Sequence, residues 1–256
     1  MKLNKILNWK IKILCIGILV ILGISNASAQ SDNEIVKLSD DVEVKKLARG
    51  IWLHTTYYDI EGFENFPANG LIIIDSEDAI MIDLPWTDEQ AGLLFDWVAE
   101  KQDATIKKVI PTHWHIDCTG GLGEAHRRKA ESFALDKTVE LLKANDEPAP
   151  LNWFTDKLSL ICGNISVELA YLGPGHTIDN IVAWIPDKNI LFGGCMVKSM
   201  NAGNLGNTTE TDVESWPDTL KKVKEVYHEI KIVVPGHGQP GGIELIDHTI
   251  NLCRNN

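Results

Sequence analysis

The chain has 256 residues, of which 44% are hydrophobic and 23% charged, with a formal net charge of −12. That balance suits a folded globular domain and excludes a disordered or low-complexity chain. The excess of acids disfavours nucleic-acid backbones and anionic membranes, so neither is expected as a partner.

Along the chain, a leader comes first. Lys2, Lys5, Lys10 and Lys12 form a basic start, followed by the apolar run Ile13 to Ile24 and the small residues Ala27-Ser28-Ala29. Residues 1–29 are therefore expected to be a cleaved secretory signal peptide, with 30–256 as one domain exported to the periplasm. The apolar run is too short for a comfortable membrane span. Cys15 raises a lipoprotein reading, but the bulky Leu14 stands before it where a small residue is expected. No membrane anchor is expected. Cleavage removes four Lys and no acid, so the mature domain is more acidic still.

Short β-branched runs then alternate with amphipathic segments. Strands are expected at Ile51 to Tyr57, Leu71 to Asp75, Ala79 to Ile82, Lys107 to Ile110 and Leu158 to Ile161. More follow at Ser166 to Leu169, Ile181 to Ile185, Ile190 to Phe192 and Lys231 to Val234. Helices are expected at Asp88 to Lys101, Gly123 to Lys129, Asp136 to Ala144, Val213 to Tyr227 and Ile243 to Cys253, with Asp88 and Asp212 as N-caps. The order suggests an α/β (α+β) protein whose two mixed halves pack their sheets together with helices outside.

The polar residues cluster where these strands end. Pro111-Thr112-His113-Trp114-His115-Ile116-Asp117 follows an apolar run and sets His113, His115 and Asp117 at alternate positions. In an extended backbone they line one face, roughly 6–7 Å apart per pair. Later strands run into Gly175-His176, Gly193-Gly194-Cys195 and Pro235-Gly236-His237-Gly238. Glycine beside each candidate is expected where backbone turns close to something bulky. His113, His115 and His176 can supply three imidazoles to one ion. Asp117, Cys195 and His237 can supply carboxylate, thiolate and imidazole to a second.

Three protein ligands and an open position are the pattern of catalytic zinc, and the thiolate favours Zn2+ over magnesium, calcium or manganese. Two zinc ions roughly 3.5–4 Å apart can share a hydroxide, because each lowers the pKa of bound water towards about 7. Asp83 either accepts an imidazole N–H behind this site or serves a turn or cap. Cys118, Cys162, Cys195 and Cys253 make an even count, but the chain is long enough to fold without staples.

These segments resemble the metallo-β-lactamases of subclass B1. The likeness runs through His113-Trp114-His115-Ile116-Asp117-Cys118-Thr119-Gly120-Gly121-Leu122, Gly175-His176-Thr177, Gly193-Gly194-Cys195-Met196-Val197-Lys198 and Pro235-Gly236-His237-Gly238. It covers about Ile51 to Cys253. It implies a four-layer αβ/βα sandwich with the site at the sheet edges. It also implies that Lys198 pairs with the carboxylate of the antibiotic and that Asn207 lies near the lactam carbonyl. Tyr57 to Pro67, with Tyr58, Phe63 and Phe66, resembles the family's flap, although an aromatic hairpin is equally a core element. Cys118 departs from the pattern: many relatives carry a basic residue there, and the broader superfamily a metal-binding His.

The function expected is hydrolysis of the β-lactam amide in penicillins, cephalosporins and carbapenems by a metal-bridging hydroxide, conferring antibiotic resistance. Asp117 and Asn207 are the expected catalytic residues, and a monomer is the default state. A thioester or lactone hydrolase of this fold predicts His after Asp117 and Asp in place of Cys195. A non-catalytic periplasmic zinc-binding protein is the remaining alternative.

Overall fold

The computed structural model describes residues 35–255, so the expected leader lies outside the described residues. One sheet collects β1 (Ile35–Lys37), β2 (Val42–Ala48), β3 (Ile51–Ile60), β4 (Phe63–Asp75), β5 (Asp78–Ile82), β6 (Thr105–Ile110), β7 (Glu131–Leu135) and β8 (Asn152–Phe154), in that spatial order. The other collects β9 (Lys157–Cys162), β10 (Ile165–Ala170), β11 (Val182–Ile185), β12 (Ile190–Gly194) and β13 (Ile232–Pro235), in reverse order across the sheet. The helices are α1 (Asp88–Lys101), α2 (Ile116–Thr119), α3 (Leu122–Arg127), α4 (Asp136–Ala144), α5 (Trp216–Val226) and α6 (Glu244–Arg254). Both sheets are mixed: β5 to β8 run parallel, as do β12 and β13, while the other pairs are antiparallel.

Strand alternation sorts the apolar residues into layers. Ile51, Leu53, Leu71, Ile73, Ile80 and Ile82 of the first sheet meet Val167, Leu169, Ala183, Ile185, Ile190 and Phe192 of the second in a central core. The intervening positions face outward. Val44, Ile72 and Met81 pack on Leu94 and Val98 of α1, Leu122 of α3 and Leu142 of α4. Val182, Leu191 and Val233 pack on Trp216 and Leu220 of α5 and Ile246 of α6. Helix, sheet, sheet, helix is the four-layer sandwich.

Three local expectations need correction. Asp117 does not continue an extended face. Pro111 has no N–H for the ladder, the chain leaves the sheet after Ile110, and Asp117 sits in the first turn of α2 behind His115, the N-cap. Asp88 is not the cap of α1: Thr87 is, with its hydroxyl accepting the Gln90 N–H at 3.2 Å. The Asp88 carboxylate instead accepts the Glu124 N–H at 2.6 Å, tying α1 to α3. Asp212 caps a turn just before α5, accepting the Ser215 N–H at 2.9 Å, while Ser215 is the helix N-cap.

A buried histidine in the first sheet has a pH consequence. His54 is 1% exposed, and its Nε2–H donates to the Asp83 carbonyl at 3.0 Å. Burial pushes its pKa down from 6.5 to about 4 against that hydrogen bond. Between those values the unfolded chain binds a proton that the folded chain refuses. Stability therefore falls as pH drops through this window, by up to about 1.4 kcal/mol per pH unit. Denaturant midpoints between pH 4 and 7 are expected to slope less in His54→Gln than in the parent. Equal slopes would contradict the assignment.

Candidate metal centre

The three predicted imidazoles converge from two segments, one in the first half of the chain and one in the second. His113 and His115 lie on the β6–α2 connection, and His176 lies on the loop between β10 and β11. Their ring centres are 4.8, 5.2 and 5.1 Å apart. His115 Nδ1 faces His176 Nε2 at 3.2 Å. His113 Nε2 is buried and has no hydrogen-bond partner. Burial pushes the His113 pKa down to about 3 despite Asp117, and burial with the neighbouring His113 holds His176 well below its usual value. Both rings are held neutral at pH 7, and each has a buried ring nitrogen without a hydrogen-bond partner. That is the state a metal ligand requires.

Asp117, Cys195 and His237 form a second, contiguous cluster. Cys195 Sγ lies 3.1 Å from Asp117 Oδ2 and 3.2 Å from His237 Nε2, and the last two atoms are also 3.2 Å apart. His237 Nδ1–H donates to the Pro67 carbonyl at 2.6 Å, which leaves Nε2 to face the cluster. Burial alone would raise Asp117, but the His237 hydrogen bond and the His113 ring outweigh it and hold the carboxyl well below its ordinary range. Burial and the Asp117 charge hold the Cys195 thiol far above its ordinary value. A carboxylate, a buried thiol and an imidazole in mutual contact need a cation to become a favourable set.

The clusters are not cleanly separate. Donor atoms of His113, His176 and Cys195 lie within 4.8 Å of one another, as do those of Asp117, Cys195 and His237. His115 joins through its contact with His176. Cys118 also stands within 4.8 Å of His113 and Asp117. Its buried Sγ–H donates to the carbonyl oxygens of His113 at 2.9 Å and His115 at 3.3 Å, which steadies the turn carrying both histidines. All four cysteines of the described residues are free thiols.

Backbone geometry explains the glycines. Gly194 adopts φ +54°, and a Cβ there would lie 2.8 Å from Thr112 Oγ1. A Cβ on Gly236 would collide with Cys195 Sγ and approach the Cys195 backbone N at 2.6 Å. Asp83 accepts an imidazole N–H only from His54, through its backbone carbonyl, and its carboxylate touches none of the clustered rings. Its carboxylate accepts the Thr112 N–H at 2.6 Å and hydroxyl at 2.9 Å, fixing the backbone just before His113.

Two supporting residues escape sequence reasoning. Asn69 donates from Nδ2 to the carbonyls of Pro235 at 2.9 Å and Gly238 at 2.7 Å, binding β4 to the loop of His237 across the two sheets. Glu210 accepts from His115 Nε2 at 3.0 Å and Trp114 Nε1 at 3.1 Å. That bond puts the His115 proton on Nε2 and leaves the Nδ1 lone pair facing His176. The Asx-rich stretch Asn204 to Asp212 marks a loop, but nothing local in it points back to His115.

Both clusters open onto a cleft of about 1000 Å³. Lys198 and Asn207 line it. Lys198 is 9% exposed, its ammonium lies 5.4 Å from the Trp216 ring centre, and burial lowers its pKa. It is no ordinary surface lysine. Asn207 Oδ1 accepts the Thr209 N–H at 3.0 Å and hydroxyl at 2.7 Å, leaving its Nδ2 donors available. The β3–β4 hairpin borders the same cleft through Ile60, Phe63 and Phe66, with Phe63 60% exposed and the Phe66 ring tilted 48° to the His237 ring at a centroid distance of 4.9 Å. An exposed tip over the cleft fits a flap and not a core hairpin.

Comparison with known proteins agrees with this geometry. The family model described as "Metallo-beta-lactamase superfamily" matches residues 64–237. A "Metallo-beta-lactamase type 2" from Bacteroides fragilis is 42% identical over 214 residues, covering 84% of this chain and 86% of that protein. Another of the same name, from Pseudomonas aeruginosa, is 34% identical over 82% of this chain and 83% of its own. Among solved structures, the metallo-beta-lactamase from Pontibacter korlensis superposes with a TM-score of 0.81 at 35% identity, covering 84% of this chain and all of its own. VMB-1 does so with a TM-score of 0.81 at 36% identity, covering 85% and 98% respectively.

Proposed function

The chain belongs to the metallo-beta-lactamase superfamily, and from that premise we propose that it is a zinc-dependent β-lactamase that hydrolyses the lactam amide bond. The observation that carries this reading is the convergence of six metal-donor side chains at one cleft that also holds a buried lysine. In this reading His113 Nε2, His115 Nδ1 and His176 Nε2 hold one zinc ion, and Asp117, Cys195 and His237 hold a second. Zinc, when bound, supplies Lewis acidity and lowers the pKa of water towards about 7.

The chain's own residues do the rest. Lys198 binds the substrate carboxylate by a charge-assisted hydrogen bond strengthened by its burial. Asn207 directs amide N–H groups at the carbonyl oxygen as it gains negative charge. Asp117 Oδ1, 3.8 Å from His113 Nε2, is placed to orient the attacking water and hold its proton. The Phe63–Phe66 hairpin covers apolar parts of the substrate and excludes water.

The same reading includes export through the leader at 1–29 to the periplasm, where such antibiotics arrive. Among the described residues, no helix is long and apolar enough to cross a membrane.

Hydrolysis of a penicillin and a carbapenem by the purified protein is expected, to be lost on chelation and restored by zinc. Rates that survive complete zinc removal would contradict the mechanism. Lys198→Ala is expected to raise KM about tenfold for carboxylated substrates with a smaller change in kcat, because it removes anchoring present before the reaction begins. An equal loss on an ester-blocked substrate would show that Lys198 acts through the fold.

A further inference from the structure

We infer that the cleft selects among β-lactams by the charge of the acyl side chain, favouring a cationic group and disfavouring a second carboxylate. The inference rests on the β-lactamase reading. Among the described residues that line the cleft, Lys198 is the one Lys or Arg, whereas Glu61 and Glu147 both stand at its exposed rim. Glu61 lies at the turn of the β3–β4 hairpin, and Glu147 lies in the segment after α4. Neither makes an ion pair among the described residues. Glu210 is different, since its carboxylate is committed to His115 and Trp114.

In a bicyclic β-lactam the ring carboxylate and the acyl side chain sit on opposite sides of the reactive amide. Once Lys198 holds the carboxylate, the side chain extends towards the remaining lining, which includes the hairpin tip and the Glu147 segment. A second carboxylate there meets two like charges and, with Lys198 taken by the ring carboxylate, no further Lys or Arg of the lining. An ammonium group meets two opposite charges. The net acidity of the whole chain acts in the same direction during approach.

Three penicillins that differ only at the α-carbon of a phenylacetyl side chain, bearing hydrogen, ammonium or carboxylate, test this directly. At about pH 6.5 the amine is protonated and the carboxyl ionised. At low ionic strength, kcat/KM for the ammonium compound is expected to exceed that for the carboxylate compound by about fivefold. The ratio should collapse towards one in the double variant Glu61→Gln, Glu147→Gln, and also in the parent protein at high salt. A ratio at or below one in the parent, or a ratio untouched by the double variant, would overturn the inference. Equal turnover of all three compounds contradicts this selectivity alone, whereas no turnover of any by the zinc-loaded protein contradicts the β-lactamase reading itself.

Discussion

Cys195→Ser is expected to leave the protein folded, to reduce bound zinc from two ions per chain to one at buffered free zinc, and to cut turnover by at least about 100-fold. The thiolate is the soft donor of its cluster, and serine replaces it with a hydroxyl that stays protonated at neutral pH. The substitution also removes the Sγ atom that lies 3.1 Å from Asp117 Oδ2 and 3.2 Å from His237 Nε2. Asp117 then keeps its His237 contact but loses the third member of the set. The three-histidine cluster keeps its internal contacts, because His115 and His176 meet directly. Unchanged zinc content together with an unchanged rate would remove Cys195 from the site.

Gly236→Ala is the second large effect, and it acts without altering any donor atom. The new methyl would collide with Cys195 Sγ while lying 2.6 Å from the Cys195 backbone N. Backbone cannot yield cheaply there, since Gly236 N–H donates to the Gly194 carbonyl at 2.7 Å and its own carbonyl accepts from Asn69 at 2.8 Å. Overpacking of this kind costs about 1–3 kcal/mol of stability. Because His237 is the next residue, a shift on the order of 1 Å also misplaces the imidazole, at a cost of about 100-fold in rate. Calorimetry and steady-state rates with zinc present are expected to fall together. A fully stable, fully active variant would show that the loop has room the geometry does not reveal.

Much of the site was legible because its donors sit where strands end. A strand end is a local event, marked by β-branched residues giving way to glycine or proline, as at Gly175, Gly194 and Gly236. Export of polar side chains to sheet edges then brings distant segments together once the two sheets pack. The strands left out of the sequence reading had weaker local marks. Val42–Ala48 carries three charged residues among its seven, Glu131–Leu135 has a single large apolar residue on each side of Ala134, and Asn152–Phe154 has only three residues. Their conformation comes from the ladders of their neighbours.

Other features depend on tertiary contact alone. Asn69 and Pro235 are 166 positions apart, and Trp114 and Glu210 are 96 apart. No periodicity links such pairs. Helix α2, with four residues, is too short to show a 3.6-residue repeat, which is why Asp117 was expected on a strand. Lys198 resembles a surface lysine in sequence, and only the packing against Trp216 reveals its burial. The subclass B1 likeness anticipated its place at the site, which spacing could not.

In the proposed function these six side chains grip two zinc ions in one cleft. Anomalous diffraction at the zinc edge from crystals of the zinc-loaded protein tests it most directly. The expected result is two peaks: one about 2.0–2.1 Å from the nitrogens of His113, His115 and His176, the other about 2.3 Å from Cys195 Sγ and bonded to Asp117 and His237. Absence of zinc from the cleft, or zinc bound only elsewhere on the surface, would contradict it.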